Sequence, residues 1–345
     1  MIFFRNPRAK QKVRYLLVRC RSARGKLGET SFVGTFRRRS MAKQPRILAG
    51  QTVAISGGAR GIGRVTAQAL VREGVRVAIG DVDLAAARQT AEEIADPTHP
   101  SAVGLPLDVT ERAAFAEFLA LTEEQLGPVD ILINNAGIMP IGPFLEEDDA
   151  TARRILDINV LGVINGMKVA LPRMMERGHG HVVNIASQAG KYGFPGGATY
   201  CASKAAVINL SRAVRKELRG RGVDISVISP VAVNTELGLG LAEPRQRQFR
   251  KIEPQQVADA IVQTLRVPKF DVHVPKQLSV SERVAALMPL GVQESLSRLS
   301  HADDVLSQVD TGARAGYELR AAHSEPGLPP ASEQAQLPER SASSG

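Results

Sequence analysis

The pair of side chains best suited to moving a proton is Tyr200 and Lys204, in the run Tyr200-Cys-Ala-Ser-Lys204. On a helix the i, i+4 spacing sets both on one face, one turn apart. A free tyrosine, with a pKa of about 10, is a poor base at neutral pH. An ammonium one turn away favours the phenolate, and bringing the phenol toward 7 takes about 4 kcal/mol of differential interaction. Such a pair also arises by chance as an ordinary helical contact, so the neighbours decide. Thirteen residues before Tyr200, Ser187 ends the apolar run His181-Val-Val-Asn-Ile-Ala-Ser187. Asn134-Asn-Ala-Gly137 ends another such run, and Asn159 lies within a long helical pattern.

A second constellation could hold a phosphate. Ser56-Gly-Gly-Ala-Arg-Gly-Ile-Gly63 follows a strand and opens a helix. Gly57 suits a tight turn with positive φ, while Gly61 and Gly63 allow close approach of backbone, helix and ligand around Ile62. The helix N-terminus behind them favours a pyrophosphate. Asp81, 18 residues beyond Gly63, ends the next strand. A carboxylate there accepts hydrogen bonds from ribose hydroxyls and repels a 2′-phosphate, which favours NAD over NADP. A helix N-cap is the other use for an acid in this stretch, and Asp83 suits it better. Arg60, in the turn, could reach a 2′-phosphate if Asp81 pointed away.

The elements that must carry these residues alternate. Thr52–Ser56, Arg76–Gly80, Val103–Leu107, Asp130–Ile133, His181–Ala186, Asp224–Ser229 and Asp271–Val274 read as strands. Helical patterns run near 61–73, 83–95, 111–126, 148–176, 199–220 and 254–266. Apolar runs with little alternation belong to strands covered on both faces. The expectation is an α/β fold, a doubly wound parallel sheet of seven strands with right-handed crossovers and ligands at the strands' carboxyl ends.

Taken together and in order, the glycine turn, Asp108, the Asn-Asn-Ala-Gly run, Asn159, Ser187 and the Tyr200/Lys204 pair resemble the short-chain dehydrogenase/reductase family in its single-domain form, over about residues 47–275. The resemblance implies a Rossmann-type enzyme interconverting an alcohol and a carbonyl with NAD or NADP. It implies Tyr200 as general acid/base, Ser187 as the hydrogen-bond partner of the substrate oxygen, and Lys204 as holder of the nicotinamide ribose. Asn159 would anchor a water that relays protons from Lys204. Asp108 would contact the adenine amino group with the Val109 backbone beside it, and Asn135 and Gly137 would flank the adenosine ribose. Val233 and Thr235 match positions that contact carboxamide and phosphate. Ser56 stands where the family usually has Thr, and Pro230-Val231 where it usually has Pro-Gly. By the same analogy the chain is a cytoplasmic homodimer or homotetramer. A dinucleotide sensor that does no chemistry is the rival reading, as is an NADPH-dependent carbonyl reductase.

The substrate side is apolar: Ile138-Met-Pro-Ile141, Ala189–Gly193 after Ser187, and Leu237-Gly-Leu-Gly-Leu241 in a candidate mobile loop. A lipophilic alcohol or ketone fits better than a sugar, although the same residues could simply be packing. Four segments follow: a basic tail over 1–45, the dehydrogenase-like domain over 46–275, a helical extension over 276–323, and a polar tail over 324–345. In the extension Val280, Val284, Leu287 and Met288, then Val292, Leu296 and Leu299 after Pro289-Leu-Gly291, make an apolar stripe. It would pack on its own domain or a partner subunit, or touch a membrane surface.

Composition excludes several classes. The 345 residues carry net charge +9, 43% hydrophobic residues, two cysteines and no tryptophan. Residues 1–40 hold 12 Lys/Arg and one acid, so the basicity sits in the tail and the body has no nucleic-acid signature. Met41 as an alternative start, a presequence for organelle import and a basic arm are the readings of that tail. Cys20 and Cys201 cannot build a disulfide framework or a zinc cluster, and Cys201 beside Tyr200 reads as a small helix residue. No run approaches the roughly 20 apolar residues of a membrane span.

Overall fold

The structure, a computed structural model, describes residues 44–96, 101–241, 250–279 and 309–322, with isolated positions 282, 287–289, 291, 292 and 295. The basic tail up to residue 43, the polar tail from 323, and Val280, Val284, Leu296 and Leu299 of the apolar stripe lie outside the described residues.

Seven strands make one parallel sheet: β1 (Thr52–Ser56), β2 (Arg76–Asp81), β3 (Ala102–Pro106), β4 (Ile131–Asn134), β5 (Gly180–Ile185), β6 (Val223–Pro230) and β7 (Asp271–Val274). Their order is β3-β2-β1-β4-β5-β6-β7. The chain first winds outward through β2 and β3, then returns to β4 on the other side of β1. That reversal opens a crevice at the carboxyl ends of β1 and β4, the usual ligand position in such sheets. Each expected strand is present, with ends shifted by no more than a residue.

Helices cover both faces, as the unbroken burial of strands such as β1 requires. On one face lie α1 (Gly61–Arg72), α2 (Leu84–Ile94) and α7 (Pro254–Arg266). Leu70, Val257 and Ile261 there pack with Val53, Ile55 and Ile79. On the other lie α3 (Arg112–Leu126), α4 (Asp149–Leu156), α5 (Gly162–Arg177) and α6 (Ala198–Glu217). Phe115, Phe118, Ile155 and Met174 pack there with Leu132 and Val227. Local signals fix the helix ends. Asp83 caps α2 by accepting from the Ala86 N–H. Glu253 and Gln256 form a capping box on α7 with Pro254 in its first turn. Gly178, at φ 70°, ends α5 in the left-handed region.

Two features depart from the sequence expectation, and a third adds detail to it. The long helix is interrupted: α4 passes into a π turn, Asp157–Leu161, before α5. Second, Asp149–Arg177 is long and apolar enough, by length and composition, to cross a membrane. It is a core helix here, with Asn159 and Asn165 buried and hydrogen-bonded inside the protein. Third, a further helix, α8 (Thr311–Ala322), lies in the extension read as helical, beyond the apolar stripe singled out in the sequence.

Candidate active site

The glycine turn between β1 and α1 is held from both sides. Ser56 Oγ accepts from the N–H groups of Asn135 (3.1 Å) and Ala136 (3.3 Å). Asn135 Nδ2 donates to the carbonyls of Ser56 (3.2 Å) and Gly57 (2.7 Å). The Asn135 amide thus ties β4 to the turn. Gly57 has φ +64°, and a Cβ on it would stand 2.7 Å from the Ala136 Cα. A Cβ on Gly63 would lie 2.3 Å from the Gly57 carbonyl oxygen. Ile62 packs against the core. At the N-terminus of α1, Arg60 is extended and supplies no side-chain cap, and the first turn carries no acid. Backbone N–H groups and the helix dipole there suit an anion. The open side of Gly61 faces Thr235, whose Cγ2 is 3.4 Å from where a Cβ would be. This cradle fits a dinucleotide pyrophosphate.

Asp81, at the end of β2, accepts from the Ala59 N–H (3.2 Å) and the Asp83 N–H (3.2 Å). Burial raises its pKa above the usual carboxylate range despite those bonds. Arg60 is occupied, donating to Asp83 at 2.6 Å. Burial works against the Asp83 carboxylate, but the Ala86 N–H and Arg60 more than offset it and hold its pKa low. Asp108 Oδ1 accepts from the N–H and hydroxyl of Thr110 (2.9 and 2.7 Å), a local turn after β3. Sequence reasoning missed Asn165, which fixes that turn: its Nδ2 donates to the carbonyls of Val109 (3.0 Å) and Thr110 (2.9 Å). A polar residue at a core position of an apolar helix was the available signal.

Ser187, Tyr200 and Lys204 come together at the carboxyl end of β5 and the start of α6. Ser187 lies close enough to Tyr200 to pull its pKa down, and Ser187 Oγ accepts from the Ala189 N–H (3.1 Å). Burial pushes Tyr200 up to about 12, against the downward pull of Ser187. Lys204 Nζ lies 5.8 Å from the Tyr200 ring centroid and donates to the Ile185 carbonyl (3.1 Å). Burial brings Lys204 down to about 8. In the protein alone burial dominates both groups, and at neutral pH the pair is phenol plus ammonium.

Asn159 sits in the π turn, fully buried. Its Oδ1 accepts from the Ile138 N–H (2.9 Å), and its Nδ2 donates to the Ile138 carbonyl (2.9 Å) and Ser203 Oγ (3.0 Å). Gly137 lies between Asn159 and Lys204: a Cβ there would be 3.1 Å from Asn159 Oδ1 and 3.3 Å from Lys204 Nζ. Beyond β6, Val231 and Val233 are core residues, so the valine in place of glycine is absorbed by packing. Val233 pairs with Ile252 in an isolated bridge. Above Tyr200 an apolar cluster gathers Met139, Ala189, Cys201 and Leu241, with Ile141 and Leu237 beside it.

Two further groups went unread in the sequence. Gln188 Nε2 donates to the Ser229 carbonyl (2.8 Å), fixing the turn that carries Ser187. Arg314 and Tyr317 of α8 bond to Met139 (2.7 and 2.6 Å).

A parallel sheet with a glycine turn after β1 at its switch point and a Ser–Tyr–Lys cluster after β5, two strands away, has the layout of a dinucleotide-dependent oxidoreductase. Residues 51–245 match the short chain dehydrogenase family, and the chain belongs to that family. It is 41% identical to a sorbitol dehydrogenase of Cereibacter sphaeroides over 190 residues, 55% of this chain and 73% of the relative. It is 38% identical to 2-(S)-hydroxypropyl-CoM dehydrogenase 3 of Xanthobacter autotrophicus over 193 residues, 56% and 75% of the two chains. The crystal structure of a short chain dehydrogenase/reductase from Burkholderia phymatum in complex with NAD superposes with a TM-score of 0.63 at 25% identity, covering 70% of this chain and 94% of that one. The protein is an oxidoreductase that acts on CH–OH donors with a nicotinamide dinucleotide.

Proposed function

We propose that the enzyme uses NAD to interconvert a lipophilic alcohol and its carbonyl compound, with Tyr200 as the proton-transferring group. The observation that carries this reading is the convergence of Lys204, 5.8 Å from the Tyr200 ring centroid, and Ser187 on a tyrosine that is itself part of an apolar cluster. When bound, the dinucleotide accepts or supplies the hydride. The chain's residues do the rest. The cradle of Gly57, Arg60, Gly61, Ile62 and Gly63 holds the pyrophosphate, with Thr235 and Val233 on its far side. Asp81 takes the adenosine ribose hydroxyls, and the charge of Arg60 beside it is already paired with Asp83, which supports NAD over NADP. Asp108 and Val109 receive the adenine, and Asn135 and Gly137 shape the backbone between the two binding regions.

Ser187 donates to the substrate oxygen and steadies its developing charge. In carbonyl reduction Tyr200 gives its proton to that oxygen; in alcohol oxidation it takes the proton. Lys204, charged at neutral pH, returns a proton toward Tyr200 and lies near the ribose. The Asn159 side chain is committed to Ile138, so a relay past Lys204 falls to the π-turn backbone. Taking Tyr200 from about 12 to neutrality costs about 7 kcal/mol. In the protein alone Tyr200 therefore keeps its proton at neutral pH, and oxidation, which needs the phenolate, gains from alkaline pH.

The test is titration of the protein with NADH and NADPH, and assay of a panel of apolar alcohols and ketones. Tighter NADH binding with turnover supports the reading. Preference for NADPH would overturn the role given to Asp81, and binding without turnover would favour a sensor.

A further inference from the structure

The strands β4, β5 and β6 are neighbours, and Ser187 follows the middle one. The loops after the two outer strands are joined above it by α8. Arg314, 1% exposed, donates through Nη2 to the Met139 carbonyl (2.7 Å) in the loop after β4. Its Nη1 donates to the carbonyls of Leu237 and Leu239 (both 2.9 Å) in the loop after β6. Tyr317 accepts from the Met139 N–H at 2.6 Å, and Arg314 stacks on its ring at 4.7 Å. The Asp310 N–H donates to the Gly240 carbonyl (2.9 Å), and Arg320 pairs with Glu236 (2.9 Å). Val309 packs into the cluster that includes Tyr200 and Leu241.

A guanidinium has five donors and no acceptor, so one such group can saturate several carbonyls that would otherwise be orphaned on burial. Arg314 does this for both lips of the crevice. A surface helix does not need a buried arginine to dock; apolar contacts suffice. The buried charge therefore has a directional use: it fixes the separation of the two loops that bound the space over Ser187 and Tyr200.

We propose that α8 is the far wall of the substrate pocket, with Tyr317 limiting substrate length and Arg314 as the positioning residue for the two loops. This rests on the alcohol site proposed above and sharpens its substrate class: a compact apolar secondary alcohol or ketone, not one with a long chain. Tyr317, 9% exposed, holds Met139, and Met139 packs in the same apolar cluster as Tyr200.

The experiment compares wild type with Tyr317→Ala, Tyr317→Phe, Arg314→Met and Arg314→Lys. Each is assayed with NAD on 2-butanol, 2-hexanol and 2-octanol, with NADH affinity as the check on folding. Tyr317→Ala is expected to raise the ratio of kcat/KM for 2-octanol over 2-butanol at least tenfold, while NADH affinity stays within twofold. Tyr317→Phe keeps the ring and should hold the ratio near wild type. Arg314→Met should raise KM several-fold more than it lowers kcat, with partial recovery in Arg314→Lys. An unchanged ratio in Tyr317→Ala with intact NADH binding overturns the proposal. If wild type oxidises none of the alcohols, the alcohol reading fails separately, and a second measurement decides. In a Cys20→Ser background the remaining thiol is Cys201, buried in the pocket cluster. Its alkylation by N-ethylmaleimide should quicken at least tenfold in Tyr317→Ala and Arg314→Met if α8 walls the pocket. Equal rates in all the proteins would sink it.

Discussion

The two ends of the same sheet solve the problem of buried polarity in opposite ways. At the amino ends of the strands most buried polar groups meet a partner on a neighbouring element, although His181 Nδ1 has none. Thr52 donates its N–H to Asp130 (3.0 Å) and its hydroxyl to the Leu126 carbonyl (2.9 Å). His181, 2% exposed, shares a hydrogen bond with Ser226 (2.8 Å), and burial lowers its pKa to about 4, so it stays neutral. A cleft of about 340 Å³ lies there, bordered by Arg46, Asp130 and His181. At the carboxyl ends the fold instead leaves capacity open: an uncapped helix start, an acid with a raised pKa, and a phenol and an amine both displaced by burial. Concavity and one shifted group also occur at the amino end; the carboxyl end is set apart by an uncapped helix start beside several shifted groups of different kinds. The contrast can be broken or sharpened by substitution at each end.

The largest effect belongs to the carboxyl end. Tyr200→Phe removes one oxygen and little else, and is expected to lower turnover by about 10³-fold or more, given what general acid/base groups contribute. NADH affinity and the thermal midpoint should stay close to wild type. Turnover within tenfold of wild type would remove Tyr200 from the chemistry. In wild type, oxidation should climb with pH well past neutrality, because the phenol starts from about 12.

Next in size is an effect on stability alone, at the amino end. An unfolded histidine takes a proton below about 6.5, whereas folded His181 resists until about 4. Its contribution is therefore complete above 6.5 and is lost as the pH falls toward 4. The gap is worth up to about 3 kcal/mol. Urea unfolding at pH 7 and pH 5 should show the loss in wild type and a shallower loss in His181→Gln. Catalytic parameters at neutral pH should be near wild type, since His181 is at the far end of the strand that leads to Ser187.

These two residues also show what could be read in the sequence. Both lie in runs whose pattern was plain: His181 at the start of an apolar strand, Tyr200 at the start of a helix with Lys204 one turn on. Strand order, switch point and the Ser–Tyr–Lys cluster follow from such local patterns, because a parallel sheet with short crossovers has few ways to connect. What stayed hidden depends on contacts between distant segments. Arg314 and Tyr317 reach Met139 across more than 170 positions of chain, and no local period announces them. The π turn was hidden for another reason: Asp157–Leu161 has the same composition as the α-helix around it. The rise of Tyr200 to about 12 was missed because a sequence displays a lysine's charge but not the depth of its burial.

A smaller effect is expected at Asp81. Asp81→Asn should weaken NADH binding by about tenfold, in the range of one hydrogen bond to a charged acceptor, and narrow the preference over NADPH. Because burial raises the Asp81 pKa, the carboxylate loses its charge at a higher pH than an ordinary one. Wild-type NADH affinity should thus fall on acidification while that of Asp81→Asn stays flat. Parallel pH dependence in the two proteins would move ribose recognition elsewhere.

The smallest effect tests the amino end most sharply. Arg46 and Asp224 form an ion pair at 2.5 Å, with both side chains about 40% exposed. Such a pair is worth no more than about 1 kcal/mol, so Arg46→Ala alone should scarcely move the unfolding midpoint at pH 7. Yet the two partners act on His181 with opposite sign: Asp224 raises its pKa and Arg46 lowers it, both beneath the larger effect of burial. Arg46→Ala leaves Asp224 unopposed and should let His181 protonate at a higher pH, shrinking the acid-induced loss of stability. Asp224→Asn should do the reverse. The double variant should return close to wild type, because desolvation sets the baseline and the ion pair only trims it. A double variant whose stability between pH 5 and 7 departs from wild type by more than either single change would show that surface charge, not burial, keeps His181 neutral.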